Sequence, residues 1–234
     1  GLSGDESSLI FEVVRLLETS TKPQVLIMEN VKNLVNKTFI GGFLEFLNTL
    51  KEYGYTTYWS TMKACDFGGG TIRERVFAVS VLSSTPFIFP NKIGTKTTVR
   101  DLLEPPLPAF YIDEGFQYTG EKNFSKAIKI RDYKNGGQGN RIYSIDGQGI
   151  TLTATGGGKG GSSGLYLRDE GIYKLSGIEM ARLMGWERQD AINLAAALSD
   201  RELGFLMGNA IDLKVMTILA TSILEFLCQT VDFL

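Results

Sequence analysis

Residues 24–31 read QVLIMENV, an apolar run that ends in a glutamate and an asparagine. The part from Gln24 to Met28 is short and apolar on both faces, which is typical of a strand buried in a parallel sheet between helices. Open α/β sheets bind their ligands at the carboxyl ends of such strands. We therefore expect Glu29 at a position where a carboxylate can meet a ligand.

The segments on either side of this strand alternate between helical and strand patterns. Apolar residues recur at helical spacing over residues 5–19, with Asp5 as the N-cap, and again over residues 43–50. The stretches TTYWSTM, residues 56–62, and RVFAVSVL, residues 75–82, predict two further strands. This order of elements predicts an α/β fold.

Composition excludes several classes of function. The net charge of -2 argues against a wholly basic nucleic-acid binder, and the absence of histidine removes the commonest general base and zinc ligand. Cys65 and Cys228 form no CxxC pair, so we expect no metal site, no disulfide framework and a reducing, cytoplasmic location. The apolar run over residues 215–224 is shorter than the ~20 residues of a membrane span, so no membrane partner is expected.

The character of the sequence changes after about residue 85. Prolines cluster over residues 86–108 and glycines over residues 136–177, which predicts a second, loop-rich domain. Helical periodicity returns over residues 176–234, where Met180, Leu183 and Met184 form an apolar stripe. We expect this last part to pack back on the first domain.

Two arginines stand where a strand begins in DFGGGTIRERVFAV, residues 66–79. Alternation along a strand predicts that Arg73 and Arg75 face one side. Taken alone, the pair is also compatible with a solvated strand end, and Glu29 is compatible with an ordinary surface glutamate.

Glu-Asn-Val after one strand and Arg-x-Arg before another, at this spacing, resemble the DNA cytosine-5 methyltransferase family. The resemblance runs along essentially the whole chain and is closest to the HhaI-like branch. Residues 1–17 resemble the helix after the family's catalytic loop. The later matching blocks, in the family's order, are PQVLIMENVKNL (23–34), CDFGGGTIRERVFAVS (65–80), RIYSIDGQGITLTATGGG (141–158), YKLSGIEMARLMGW (173–186) and LMGNAIDLKV (206–215).

The resemblance implies a Rossmann-like methyltransferase sheet and a smaller, loop- and β-rich target-recognition domain. Residues 1–104 would form the C-terminal part of the catalytic domain and residues 105–175 the recognition domain. Residues 176–234 would form a helical hinge and a terminal helix that returns to the catalytic domain.

The resemblance also implies a reaction and its catalytic residues. A cysteine thiolate adds to C6 of a flipped cytosine, and C5 then takes a methyl group from S-adenosylmethionine. Glu29 and Arg75 would stabilise the charged ring, Arg73 would support them and Asn30 would orient the loop. Asn209 and Ala210 would close over the methyl donor, although Asn209 is also compatible with an ordinary helix N-cap.

Duplex DNA is the implied partner, because residues 122–141 are locally basic. By the resemblance, Arg141 would read guanine in the major groove and Gln138 would reach the guanine left unpaired by flipping, which favours a target that contains CG. Lys134, Thr151 and Thr153 are the further DNA-binding candidates.

A glycine-rich tract, TGGGKGG at residues 155–161, contains the GxGxxG spacing of dinucleotide-binding loops. The strand-like segment SSGLYL follows it, where a dinucleotide site needs a helix, and the GK[ST] ending of a phosphate loop is missing. A flexible loop that faces DNA is the favoured interpretation.

The sequence departs from the family in two respects. The cofactor-binding glycine motif and the Pro-Cys-Gln loop are expected upstream in the gene or on a separate segment, since neither Cys65 nor Cys228 matches the nucleophile. Thr71 stands where the family has glutamine. A non-catalytic DNA-binding module, one subunit of a split methyltransferase, and an RNA methyltransferase of similar fold are the alternatives.

Overall fold

The computed structural model describes residues 8–107, 111–113, 120–133 and 137–231. No helix in these ranges combines the length and the apolarity that a bilayer crossing needs. Short 3-10 helices add turns at Lys32–Val35, Ala64–Phe67, Val99–Leu102 and Gln138–Asn140. The α-helices and strands are, in chain order, α1 (Ser8–Thr19), β1 (Val25–Val31), α2 (Ile40–Glu52), β2 (Thr56–Lys63), β3 (Glu74–Val81), β4 (Tyr111–Asp113), β5 (Lys129–Asp132), β6 (Arg141–Ser144), β7 (Leu165–Arg168), β8 (Gly171–Lys174), α3 (Gly177–Leu183), α4 (Arg188–Ala197), α5 (Asp200–Asn209) and α6 (Leu213–Val231).

The chain divides into two compact units, each made of separated stretches of sequence. The first unit comprises residues 1–62, 74–91 and 219–234, and the second comprises residues 63–73 and 92–218. These limits do not coincide with the expected boundaries after residues 104 and 175. The functional division that those boundaries describe stays a prediction.

The first unit contains a three-stranded sheet in the order β1-β3-β2. β1 pairs with β3 in antiparallel register, from Val25 opposite Val81 to Val31 opposite Arg75. The expectation of a buried parallel strand is therefore wrong. β3 is buried along most of its length, whereas β1 is half-exposed, with Ile27 44% accessible. An unbroken apolar run in the sequence does not distinguish a buried strand from a half-exposed one.

The apolar core of the first unit is built by one face of α2. Phe43, Phe46 and Leu50 are buried at the spacing of successive helical turns, as predicted. Phe46 and Leu50 pack with Leu17 of α1, whose helical pattern is also confirmed. Burial of each such side chain contributes about 1.5–3 kcal/mol. Asp5, the expected N-cap of α1, lies outside the described residues.

The second unit contains a five-stranded sheet in the order β4-β8-β7-β6-β5. β6 and β7 are parallel, so the chain between them must cross over, and the glycine-rich tract lies in this connection. The strand expected after the tract is β7. Met180, Leu183 and Met184 of the predicted apolar stripe are buried in the main core of this unit.

A buried ion pair ties β7 to α3 in the second unit. Arg168 Nη2 lies 2.5 Å from Glu179 Oε1, and the two side chains are only 5% and 4% exposed. The other carboxylate oxygen of Glu179 accepts hydrogen bonds from the backbone N–H and hydroxyl of Ser176, the N-cap of α3. Removing one member would leave an uncompensated buried charge, at a typical cost of about 3–5 kcal/mol.

Candidate functional site

Glu29 and Arg75 form an ion pair on one face of the sheet in the first unit. Glu29 lies inside β1 opposite Phe77, and Arg75 lies on β3 opposite Val31. The two are diagonal neighbours, which places their side chains within reach of each other. Arg75 Nε is 3.1 Å from Glu29 Oε1, and the side chains are 17% and 22% exposed. The two residues to which the resemblance assigns stabilisation of the charged ring are therefore in contact, and that role stays a prediction.

The contact leaves hydrogen-bonding capacity on the carboxylate. Glu29 Oε1 is buried, yet among the residues that the structure describes it accepts no aligned hydrogen bond, despite the short distance to Arg75. Burial lowers the pKa of Arg75, and the nearby Glu29 carboxylate counteracts that effect. A carboxylate with an unsatisfied buried oxygen beside a guanidinium can take up a donor from a ligand.

Asn30 orients the end of the same strand. Its side-chain Oδ1 accepts a hydrogen bond from the backbone N–H of Val31 at 2.8 Å. Such local bonds fix the direction of the backbone where regular pairing ends. The predicted role of Asn30 in orienting the loop is compatible with this contact and stays a prediction.

Arg73 lies in the second unit and differs from Arg75 in every contact. β3 begins at Glu74, so Arg73 precedes the strand, and the expectation that both arginines face one side stays a prediction. The Arg73 residue is 4% exposed. Its guanidinium donates to the carbonyl oxygens of Leu152 (3.4 Å), Gly208 (3.2 Å) and Ala210 (2.7 Å). These bonds favour a positioning role, and contact with a base stays a prediction.

The turn that Arg73 holds contains the predicted donor-binding residues. α5 ends at Asn209, and Ala210 is its C-cap. Asn209 is exposed and Ala210 is half-buried. A Cβ on Gly208 would lie 2.2 Å from the backbone nitrogen of Ala154, so only glycine fits there. Asn209 is at a helix C-terminus, and the alternative interpretation of it as an N-cap is wrong.

The residue that caps α6 is Asp212, which the sequence analysis missed. Its Oδ1 accepts from the backbone N–H groups of Lys214 (3.1 Å) and Val215 (3.2 Å). Its Oδ2 is buried without a hydrogen-bond partner, and burial raises the pKa of Asp212 to about 6. An aspartate just before an apolar helical run is the signal that could have identified it.

The predicted DNA-reading residues Gln138 and Arg141 lie close together in the chain and in the second unit. Gln138 is in a 3-10 helix, and its Nε2 donates to the carbonyl of Thr151 at 2.9 Å. Arg141 begins β6 and its side chain is 42% exposed, with Nε 3.9 Å from Asp132 Oδ1. That Nε is buried and makes no hydrogen bond within the described ranges.

The remaining DNA-binding candidates differ in what the structure shows. Thr151 and Thr153 are half-buried, and the backbone N–H of Thr153 donates to Ser162 at 3.2 Å. Lys134 lies outside the described residues. Thr71, at the family's glutamine position, is fully buried, and its hydroxyl accepts from the backbone N–H of Arg73 at 3.3 Å.

The family model and the curated relatives that match this chain agree on one protein family. Residues 1–225 match the family model described as C-5 cytosine-specific DNA methylase. The Type II methyltransferase M.HhaI of Haemophilus parahaemolyticus is 31% identical over 95% of this chain and 69% of its own length. The Type II methyltransferase M2.ScrFI of Lactococcus lactis subsp. cremoris is 37% identical over 56% of this chain. The chain spans only 39% of that second relative.

Solved structures agree on the fold. The Dnmt2 methyltransferase of S. pombe superposes with a TM-score of 0.72 over 97% of this chain and 75% of its own chain, at 17% identity. The Entamoeba histolytica methyltransferase EhMeth superposes with a TM-score of 0.67 over 93% of this chain and 69% of its own. The expected α/β, Rossmann-like methyltransferase fold is confirmed.

Proposed function

The chain belongs to the C-5 cytosine-specific DNA methylase family, and from this membership we propose that it supplies the base-stabilising and DNA-reading parts of a methyltransferase. The enzyme would transfer a methyl group from S-adenosylmethionine to C5 of a flipped cytosine in duplex DNA, in a target that contains CG. Similarity to Type II methyltransferases supports a role in bacterial restriction-modification, in the cytoplasm.

The observation that carries the proposal is the Glu29–Arg75 pair. Addition of a thiolate to C6 of cytosine places charge on the ring, and preorganised polar groups lower the energy of that state. The carboxyl group of Glu29 would hydrogen-bond to N3 and to the exocyclic amine of the base. Arg75 would donate to O2. The buried Oε1 of Glu29, which accepts no aligned hydrogen bond, provides the capacity for this contact.

The thiolate would come from the Pro-Cys-Gln loop of the family, on the same polypeptide or on a separate one. Cys65 does not fit that role, because it is buried in a 3-10 helix and burial raises the pKa of its thiol. A thiol held in its protonated form is a poor nucleophile. Cys228 lies on α6, far along the chain from the matching motif.

Asn209 and Ala210 would help to hold the methyl donor. The structure fits this role, because Arg73 fixes the carbonyls of Gly208 and Ala210 on either side of the exposed Asn209. The sulfonium of the bound donor supplies an electrophilic methyl group. The N-terminus of α6 is not available for the donor's carboxylate, since Asp212 already caps it.

Gln138 and Arg141 would read the DNA from the second unit. Nε2 of Gln138 is engaged by Thr151, which leaves Oε1 as the acceptor for the N–H groups of an unpaired guanine. The partly exposed guanidinium of Arg141 would bind guanine O6 and N7 through two N–H groups. Lys134, Thr151 and Thr153 would contact the backbone of the duplex.

The test compares Glu29→Ala with Glu74→Ala in the natural protein. Glu74 is a matched control, since it begins β3 but pairs with Lys32 at 2.8 Å instead of Arg75. We expect Glu29→Ala to lower methyl transfer to duplex DNA by about 10²–10³-fold, as loss of one preorganised hydrogen-bonding group does, while the dissociation constant for DNA changes little. The control should keep its activity, and normal turnover of Glu29→Ala would contradict the proposal.

The intact mass of the purified protein decides how this assay is assembled. A mass well above the 25.8 kDa of this chain means that one polypeptide carries the nucleophile as well. A mass near 25.8 kDa means that a complementing polypeptide must be added before transfer is measured.

A further inference from the structure

The glycine-rich tract at residues 155–161, hereafter the glycine loop, is packed tightly against the 3-10 helix that carries Gln138. The backbone N–H of Gly160 donates to the carbonyl of Gly139 at 2.7 Å. A Cβ on Gly139 would lie 1.7 Å from the carbonyl oxygen of Gly157, so the two backbones touch directly. Only glycine permits that approach. The loop and the helix therefore form one local structure.

Three successive backbone amides of the glycine loop bond to the protein itself. The N–H of Lys159 donates to Asn140 Oδ1 at 3.2 Å, and the N–H of Gly161 donates to Gly158 at 3.4 Å. A phosphate-binding loop needs successive N–H groups that point at the ligand. Because the amides of Lys159, Gly160 and Gly161 bond to the protein, these three N–H groups do not serve to hold a pyrophosphate.

The side chain of Lys159 is the cationic group that the loop presents. It is exposed, and it forms no ion pair within the ranges that the structure describes. The sequence from residue 122 to residue 164 contains seven lysines and arginines and only two aspartates. Asp132 pairs with Lys129 and Asp146 pairs with Arg100, so neither aspartate pairs with Lys159. An excess of positive charge of this kind attracts a polyanion.

We propose that Lys159 binds a phosphate of the DNA backbone and that the glycine loop sets its position relative to Gln138. The inference rests on the proposed function and adds a residue to the DNA-binding surface. The hydrogen bonds from Lys159 and Gly160 to Asn140 and Gly139 fix the loop to the helix that carries Gln138. A phosphate held by Lys159 would therefore set the register in which Gln138 meets the bases.

Salt-dependent DNA binding tests the proposal. The variant Lys159→Met keeps the length of the side chain and removes its charge. Binding of the whole chain to two fluorescein-labelled duplexes of different sequence is followed by anisotropy at about 50–200 mM NaCl. We expect the slope of log affinity against log salt to become shallower by about 0.9, the value for one phosphate contact. The loss of affinity should be the same for both duplexes.

Two controls separate charge and location from general effects. Lys159→Arg keeps the charge and should retain the wild-type slope. Lys51→Met removes an exposed lysine from α2 in the first unit and should leave binding unchanged. An unchanged slope in Lys159→Met, with wild-type binding intact, overturns this inference alone. Failure of the wild-type chain to bind either duplex overturns the DNA-reading role under the proposed function as well.

Discussion

The guanidinium of Arg73 donates a hydrogen bond from Nη2 to the backbone carbonyl oxygen of Ala210, at 2.7 Å. The same guanidinium also reaches the carbonyl of Gly208, so Arg73 contacts both neighbours of Asn209. A single planar group with several donors can satisfy carbonyls in different directions, which an ammonium group cannot do in the same geometry. Arg73 thus fixes the turn that presents Asn209.

Arg73→Lys should therefore destabilise this turn although it keeps the charge. Hydrogen bonds to a charged group contribute about 1.5–3 kcal/mol each, so we expect the free energy of unfolding to fall by about 3 kcal/mol. Urea denaturation measures that loss. Under the proposed function, KM for S-adenosylmethionine should rise more than kcat falls. An equal fall of kcat with unchanged KM would instead indicate that Arg73 acts on the base.

Asp212→Asn should stabilise the protein at neutral pH. The folded-state pKa of about 6 lies above the ordinary aspartate value of 3.8, so the fold favours the protonated carboxyl group. The stability that this preference contributes is lost as the pH rises between these two values. Asparagine caps helices equally well and carries no charge. The gain should be near zero below about pH 4 and approach about 3 kcal/mol above about pH 7.

Urea unfolding of wild type and Asp212→Asn at several pH values checks this expectation. Arg73 and Lys214 are the cations that lower the pKa of Asp212, against the larger effect of burial. A variant less stable than wild type at neutral pH would mean that attraction to these cations outweighs the desolvation of the carboxylate.

Arg141→Ala should relax sequence discrimination. Loss of a bidentate contact to guanine costs about 1–3 kcal/mol at one base pair and leaves other positions of the target unaffected. Affinities for a set of duplexes with single substitutions in the target, measured by competition, reveal that pattern. Arg201→Ala, which removes an exposed arginine from α5, is the matched control. A uniform loss across all duplexes would assign Arg141 to the phosphate backbone instead.

Glu29 and Arg75 could be named as candidates because the motifs Glu-Asn-Val and Arg-x-Arg resemble those of a known family. Each residue lies in or beside a strand whose apolar pattern is unmistakable, and their motifs have a characteristic spacing. The direction of pairing was not predictable in the same way. An apolar strand in a parallel sheet and one in an antiparallel sheet bury similar side chains, so the β1–β3 register became visible only in the structure.

The hydrogen bonds of Arg73 and the cap of α6 could not be predicted from the hydrophobic periodicity of the sequence. The acceptors of Arg73 are backbone carbonyls at residues 152, 208 and 210, and no residue type marks a carbonyl acceptor in a sequence. Asparagine is common at helix N-caps, so the sequence is compatible with Asn209 as the cap of the last helix. In the structure Asp212 is the cap, because its carboxylate accepts hydrogen bonds from two backbone N–H groups.

The order in which the two units use the chain has a consequence for biosynthesis. The first unit combines residues 8–62 and 74–91 with residues 219–231, and Phe226 of α6 packs edge-to-face on Phe87 with ring centroids 5.7 Å apart. A ribosome delivers residues 219–231 only after all of the second unit has been synthesised. The strands of the first unit therefore lack the packing of α6 until that helix has been synthesised. Chaperone binding would matter most during this interval.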